Sequence, residues 1–308
     1  MSEANTLVST STSSIANGNE SLKVGLASDL AKFVREFKEK KKCPFSSYKT
    51  QKDLKEILMK HEIDGNSIDT IRQFSPTTYP LKDDDEELQQ CIKEIKRKLR
   101  NMGTILADSN EAMRCEYILP ILHASLYIIK RVTKKELSIA PQLEVVGEEN
   151  TGRVDYAIKA LEELICITEG KLHQVTMGFA QNLVQCESAL QVNKKKHKAD
   201  DAFREYFDYI YGIVTTDIHF LYEISCTSRD PLNIKFSESA LKKDSEADIE
   251  LQKNVKRVIE VIVGLLKDRA DVEKEPAMKR QRVQKYFENE YCDLGSKSYD
   301  LQITEVIK

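Results

Sequence analysis

The sequence predicts a mixed α/β domain, ordered helix, three-stranded meander, helix, two strands and helix, preceded by a small helical module. Two patterns carry this prediction. Apolar residues recur at three- and four-residue spacing over 29–42, 51–61, 88–102, 110–131, 174–192 and 249–267, as they do on one face of a helix. Between the later of these lie short runs at 142–146, 153–161, 164–169, 209–216 and 218–226, rich in β-branched and aromatic side chains and bounded by polar turns. A length of 308 residues suits one large or two modest domains, of which two folded units are the working expectation.

Residues 1–22 are polar and low in complexity, too poor in large apolar groups to offset the entropy of ordering, and are expected to be disordered. Ser28 stands where an N-cap belongs, before a helix over 29–42 with Leu30, Phe33, Val34 and Phe37 on one face. A second helix is expected over Gln51–His61, on Leu54, Ile57 and Leu58, and a short third one after Asp64-Gly65-Asn66. Helices this small are expected to pack on one another. Pro76, Pro80 and an Asp cluster mark a loop, after which Leu88–Met102, with Cys91, Ile92, Ile95 and Leu99 on one side, bridges the two halves.

The second half opens with a helix over Asn110–Arg131, kinked at Pro120. The meander Gln142–Val146, Arg153–Leu161 and Leu164–Glu169 follows, its second and third strands joined at Glu162-Glu163. A helix over Gln174–Val192, a hairpin of Tyr209–Thr216 with Ile218–Cys226, and a helix over Ile249–Lys267 complete it. The expected divisions are 1–22 disordered, 23–105 helical module, 106–272 α/β domain and 273–308 charged tail.

Composition excludes some classes. No run approaches the ~20 apolar residues of a membrane span, and the N-terminus lacks the apolar core of a signal peptide, so a nuclear or cytoplasmic protein with no membrane partner is expected. Seven cysteines stand singly, without metal-binding spacing, and are expected to be reduced, buried thiols. A net charge of -3 gives no overall basic field, although local patches and not net charge decide phosphate contact. Lys194–Lys198 reads as a solvated helix end, His173 as a surface residue, and His123 and His219 as structural residues among apolar neighbours.

One segment carries chemistry. In Leu164-Ile165-Cys166-Ile167-Thr168-Glu169-Gly170-Lys171, strand alternation puts Ile165, Ile167, Glu169 and Lys171 on one side, so an apolar strand runs into a carboxylate and an ammonium. A carboxylate is a hard ligand for Mg²⁺, and a neighbouring lysine supplies a cation that holds or deprotonates water. One carboxylate binds Mg²⁺ poorly, so a second must come from the adjacent strand, where Asp155 stands; Gly152 before it is read as a point of bending.

Asp155 followed by Glu169-Gly170-Lys171, in the order helix, meander, helix, strand, resembles the PD-(D/E)XK nuclease superfamily, with Val154 in place of the motif's proline. That resemblance implies a restriction-endonuclease-like core over about 110–226 and hydrolysis of nucleic-acid phosphodiester bonds, DNA ahead of RNA, leaving a 5′-phosphate. It implies Mg²⁺, or Mn²⁺, on Asp155, Glu169 and the Gly170 carbonyl, with Lys171 orienting or activating water. The family's helical glutamate falls on Glu111 in preference to Glu116, and its helical glutamine on Gln181, with Gln185 second. Arg153 or Lys159 would touch the substrate backbone. The stretch also resembles the C-terminal nuclease-type domains of crinkler-like effectors. A degenerate nuclease fold that binds without cutting is the alternative. Separately, Lys52–Phe74 resembles the middle of a sterile alpha motif domain, implying a protein partner for the helical module, and Pro276–Val283 resembles a nuclear localisation signal.

Overall fold

Polar caps fix where the first helices begin. In the computed structural model, the Thr50 hydroxyl accepts from the Asp53 N–H at 3.1 Å while the Asp53 carboxylate accepts from the Thr50 N–H at 2.7 Å, starting α1 (Gln51–Lys60). Asp85 caps α2 (Glu86–Met102), and Asn110 caps α3 (Glu111–Thr133) by accepting from the Met113 N–H at 2.8 Å. Helix α3 continues through Pro120, as the sequence predicts. The structure describes residues 42–61, 73–74, 77–106, 109–171, 175–197, 209–216, 219–223, 227–228 and 232–271. Side chains at 73, 74, 171, 175–177, 197, 215, 216, 219–223, 227, 228, 232 and 233 lie outside this description. The predicted helix over 29–42 up to its last residue, the short helix expected after Asp64-Gly65-Asn66, His173 and the 273–308 tail with its basic segment fall outside the described residues.

The chain separates into a unit of residues 1–42 and a unit of residues 43–308. In the second, a nine-stranded mixed sheet comprises β1 (Cys43–Pro44), β2 (Gln73–Phe74), β3 (Leu137–Val146), β4 (Asn150–Ala160), β5 (Glu163–Lys171), β6 (Tyr211–Thr216), β7 (His219–Glu223), β8 (Thr227–Ser228) and β9 (Leu232–Asn233). Strands β3, β4 and β5 form the antiparallel meander, and β5 runs parallel to β6 after a crossover through α4 (Val175–His197). A hairpin joins β6 to β7, and α5 (Glu246–Asp271) follows. Strand β3 reaches back to Leu137, five residues before the predicted start. Lys134, Lys135 and Pro141 hide this in the sequence, yet an edge strand tolerates proline because no ladder bond is demanded on its outer side.

Strand alternation sends side chains to two cores. Tyr156, Ile158, Cys166 and Ile213 pack with α2, α3 and α5, while Ala157 and Ile167 pack with Phe45, α1 and α4. Helices α1 and α2 therefore cover opposite faces of the sheet. The small helices expected to pack on α1 fall outside the described residues; among those described, Leu54, Ile57 and Leu58 of α1 meet α4 residues such as Phe179, whereas Leu88, Ile92, Ile95 and Leu99 of α2 meet α3 and α5. Each such side chain, buried, contributes about 1.5–3 kcal/mol, which neither helix alone could obtain from water.

Three local departures shape the region of interest. The β4–β5 register shifts between Ile158 and Lys159, leaving Ile165 as the extra residue; the buried Asn193 side chain then satisfies Leu164, donating to its carbonyl and accepting from its N–H, both at 2.9 Å. The Leu161 backbone adopts a positive φ of 53° at the β4–β5 turn. Gly152 is not a bend. It lies within extended β4, and a Cβ there would sit 2.7 Å from the Phe45 ring, so glycine admits the aromatic side chain.

Candidate functional site

Strands β4 and β5 separate where the sequence places the carboxylates. Their ladder ends at Tyr156↔Thr168, and one step further the same register sets Asp155 opposite Glu169. Beyond that step β5 continues along β6, through Glu169↔Val214 and Lys171↔Thr216, while β4 continues along β3 and meets β1 at Asn150 and Thr151. On the other side the β3 pairing passes from Pro141↔Tyr156 to Leu143↔Val154 and skips Asp155. Among the described residues, Asp155 is the one position of β4 with no ladder partner on either side. The fork is spanned by its side chain: Asp155 Oδ2 accepts from the Gly170 N–H at 2.7 Å, and Oδ1 accepts from Gln142 Nε2 at 3.1 Å.

Glu169 is held from the helix above. Its Oε1 accepts from Gln181 Nε2 and its Oε2 from Gln185 Nε2, both at 2.7 Å. Gln181 and Gln185 lie one turn apart on α4, so both amides reach the same carboxylate. Asn182 orients the second amide by donating to Gln185 Oε1 at 3.4 Å while also donating to the Ile167 carbonyl at 3.3 Å. The helix approaches the sheet closely because β6 carries Gly212, where a Cβ would lie 2.0 Å from Asn182 Oδ1. Burial is deep: Asp155 is 5% exposed, Glu169 3%, Gln181 5% and Gln185 0%.

The acidic character extends to α3. The half-buried Cys115 thiol is pushed up to about 12 by burial first, with the carboxylates of Asp155, Glu111 and Glu169 adding to it. Glu111 lies one turn before Cys115 on α3. Glu116, by contrast, is exposed and pairs with Lys98 at 2.6 Å. Tyr156 donates to the Cys115 carbonyl at 3.2 Å, and burial raises its phenol above the usual range. Gln142, Asn182 and Cys115 are site neighbours that sequence reading missed. Their positions depend on which strands and helices meet, and no local pattern marks them.

The sequence-predicted residues thus divide as follows. Asp155, Glu169, Gly170, Gln181 and Gln185 come together at the fork, while Glu111 lies on α3, one turn before Cys115. The Lys171 backbone closes β5, and its side chain lies outside the described residues. Arg153 is exposed on β4 opposite Glu144, and Lys159 is half-buried at the far end of that strand. Lys194, Lys195 and Lys196 are exposed, and the last donates to the Glu162 carbonyl at 2.6 Å. Two expectations fail: His123 is exposed on α3, not set among apolar side chains, and Cys43 is exposed, although Cys91, Cys166 and Cys186 are buried. The His219 side chain lies outside the described residues.

The donor set suits a hard cation with few protein ligands. No group of three or more His, Cys, Asp and Glu side chains placed to hold a metal occurs among the described residues. A site here would rest on two carboxylates and a backbone carbonyl, completed by water or substrate oxygen, which is how Mg²⁺ is ordinarily held. Among the described residues, no helix is long and apolar enough to cross a membrane.

Over 190 residues, 61% of this chain, the sequence is 31% identical to Crinkler effector protein 1 of Rhizophagus irregularis. The match covers 39% of that protein's length, so the chain spans about two fifths of the relative. This supports the crinkler-like resemblance read from the sequence. No family model matches, and no solved structure matches.

Proposed function

We propose that the α/β domain expected over 106–272 is a metal-dependent nuclease of PD-(D/E)XK type, hydrolysing phosphodiester bonds of DNA or RNA. The observation that carries this reading is the register that sets Asp155 opposite Glu169 at the point where β4 and β5 part. The meander, the parallel strand β6 reached through α4, and the two α4 glutamines on Glu169 support it. Asp155, Glu169 and the Gly170 carbonyl would hold Mg²⁺ or Mn²⁺. Bound there, the cation would polarise a phosphate and lower the pKa of a bound water. The chain's own contribution is placement: Gln181 and Gln185 fix Glu169, the Gly170 N–H fixes Asp155, and Lys171 is assigned the water. Exposed Arg153, on the same strand as Asp155, is the residue assigned to the substrate backbone.

A second reading has its own observation. All four carboxylate oxygens already accept hydrogen bonds, so the site is satisfied without a cation, as in a nuclease fold that binds and does not cut. The full chain incubated with plasmid DNA and with RNA, in Mg²⁺ or EDTA, separates the two. Cleavage that requires Mg²⁺ and is lost in Asp155→Asn and Lys171→Ala supports the enzyme. Retention of nucleic acid without cleavage supports the binding module. Metal-independent degradation, or equal activity in the variants, would overturn the assignment. A protein partner for the early helices and nuclear entry through Pro276–Val283 belong to the same proposal.

A further inference from the structure

We infer that Gln142 is a positioning residue for Asp155, holding that carboxylate for a divalent cation from the edge strand β3; the inference rests on the metal-site reading above. Gln142 is exposed and has a backbone φ of 50°, in the left-handed region that residues with a Cβ adopt at a cost. The flanking pairs Pro141↔Tyr156 and Leu143↔Val154 keep one register, so no change of pairing demands an extra or twisted residue here. If the chain needed only a left-handed residue, glycine would supply it without strain. The side chain accounts for glutamine: turned out of the pleat, Gln142 sends Nε2 to Asp155 Oδ1 at 3.1 Å.

The consequence for Asp155 is geometric. With the Gly170 N–H on Oδ2 and the Gln142 amide on Oδ1, the carboxylate plane is fixed by one donor on each oxygen. Both donors come from outside β4, one from each strand that has let go of Asp155. The same two departures that free this residue from the ladder therefore supply the groups that aim it. Partners of this kind behind a metal ligand change metal affinity by about 10–100-fold when removed.

The test uses Mn²⁺ alone as the probe, its binding to the full chain followed by loss of the free-ion paramagnetic resonance signal, with thermal melting measured in parallel. Gln142→Gly relieves the backbone and removes the amide together. The relieved backbone offsets the lost bond to Asp155, so the variant is expected to melt close to the wild-type protein yet bind Mn²⁺ about tenfold more weakly. A merely structural role predicts that melting temperature and affinity move together. Retention of Mn²⁺ affinity within twofold in Gln142→Gly, while Asp155→Asn loses binding, would overturn the role of Gln142 and leave the site standing. Failure of the wild-type protein to bind Mn²⁺, or equal binding by Asp155→Asn, would overturn the metal-site reading and this inference with it.

Discussion

Replacing Glu169 with glutamine measures how firmly the α4 amides hold the carboxylate. Glu169 is 3% exposed and accepts from Gln181 and Gln185 at 2.7 Å each. A hydrogen bond to a charged group contributes about 1.5–3 kcal/mol, about twice a neutral one. In Glu169→Gln the introduced amide accepts from one partner through its oxygen and turns its own NH₂ toward the other. Gln185 cannot turn over freely to meet it, because its Oε1 accepts from Asn182 at 3.4 Å. One charged bond is lost and the other becomes neutral, which costs roughly 2–4 kcal/mol; removing a buried charge offsets part of this. The net expectation is a loss of about 1–3 kcal/mol, read as a lower midpoint in urea at unchanged slope. Adding Gln185→Leu to Glu169→Gln should cost less than the sum of the two single changes, because they share one contact. A midpoint for Glu169→Gln at or above that of the wild-type protein would refute the reasoning, since it would mean the amides do not hold this carboxylate.

Three further outcomes are expected. Gly264→Ala should destabilise by about 3 kcal/mol or more in a thermal melt, because the added methyl would lie 1.8 Å from the Thr77 carbonyl oxygen; the Tyr79 N–H bonded to the Glu260 carbonyl at 2.9 Å keeps that segment on α5. Asn193→Ala should cost roughly 2–4 kcal/mol and accelerate amide exchange at Leu164, whose N–H and carbonyl it leaves buried without their partner. With its thiol held near 12, Cys115 is almost wholly protonated at pH 8, so iodoacetamide followed by mass spectrometry should modify exposed Cys43 before Cys115; Cys115 labelling in the folded protein should rise only as pH climbs toward 12. Rapid alkylation of Cys115 at pH 8 would show that its thiol is neither buried nor faced by carboxylates.

What the sequence alone determined is what neighbouring residues decide. Three- and four-residue spacing located α1 through α5, caps or charged ends set their limits within a few residues, and β-rich runs located β4, β5 and β6. It also picked out Asp155 and Glu169, because strand alternation and one short turn suffice to bring them to adjacent strands. Tertiary structure decided the rest. Whether α1 and α2 join each other or opposite faces of the sheet depends on which apolar surfaces remain uncovered elsewhere in the chain. The two-residue strands β1, β2, β8 and β9 have too few residues to show a period and exist only because a partner strand offers its edge. Gly152 is required by the Phe45 ring, more than a hundred residues earlier, and Gln142 reaches its position because β3 and β5 both release β4 at Asp155. Ladder breaks of this kind depend on how strands distant in sequence pair with β4, so no window of local sequence contains them.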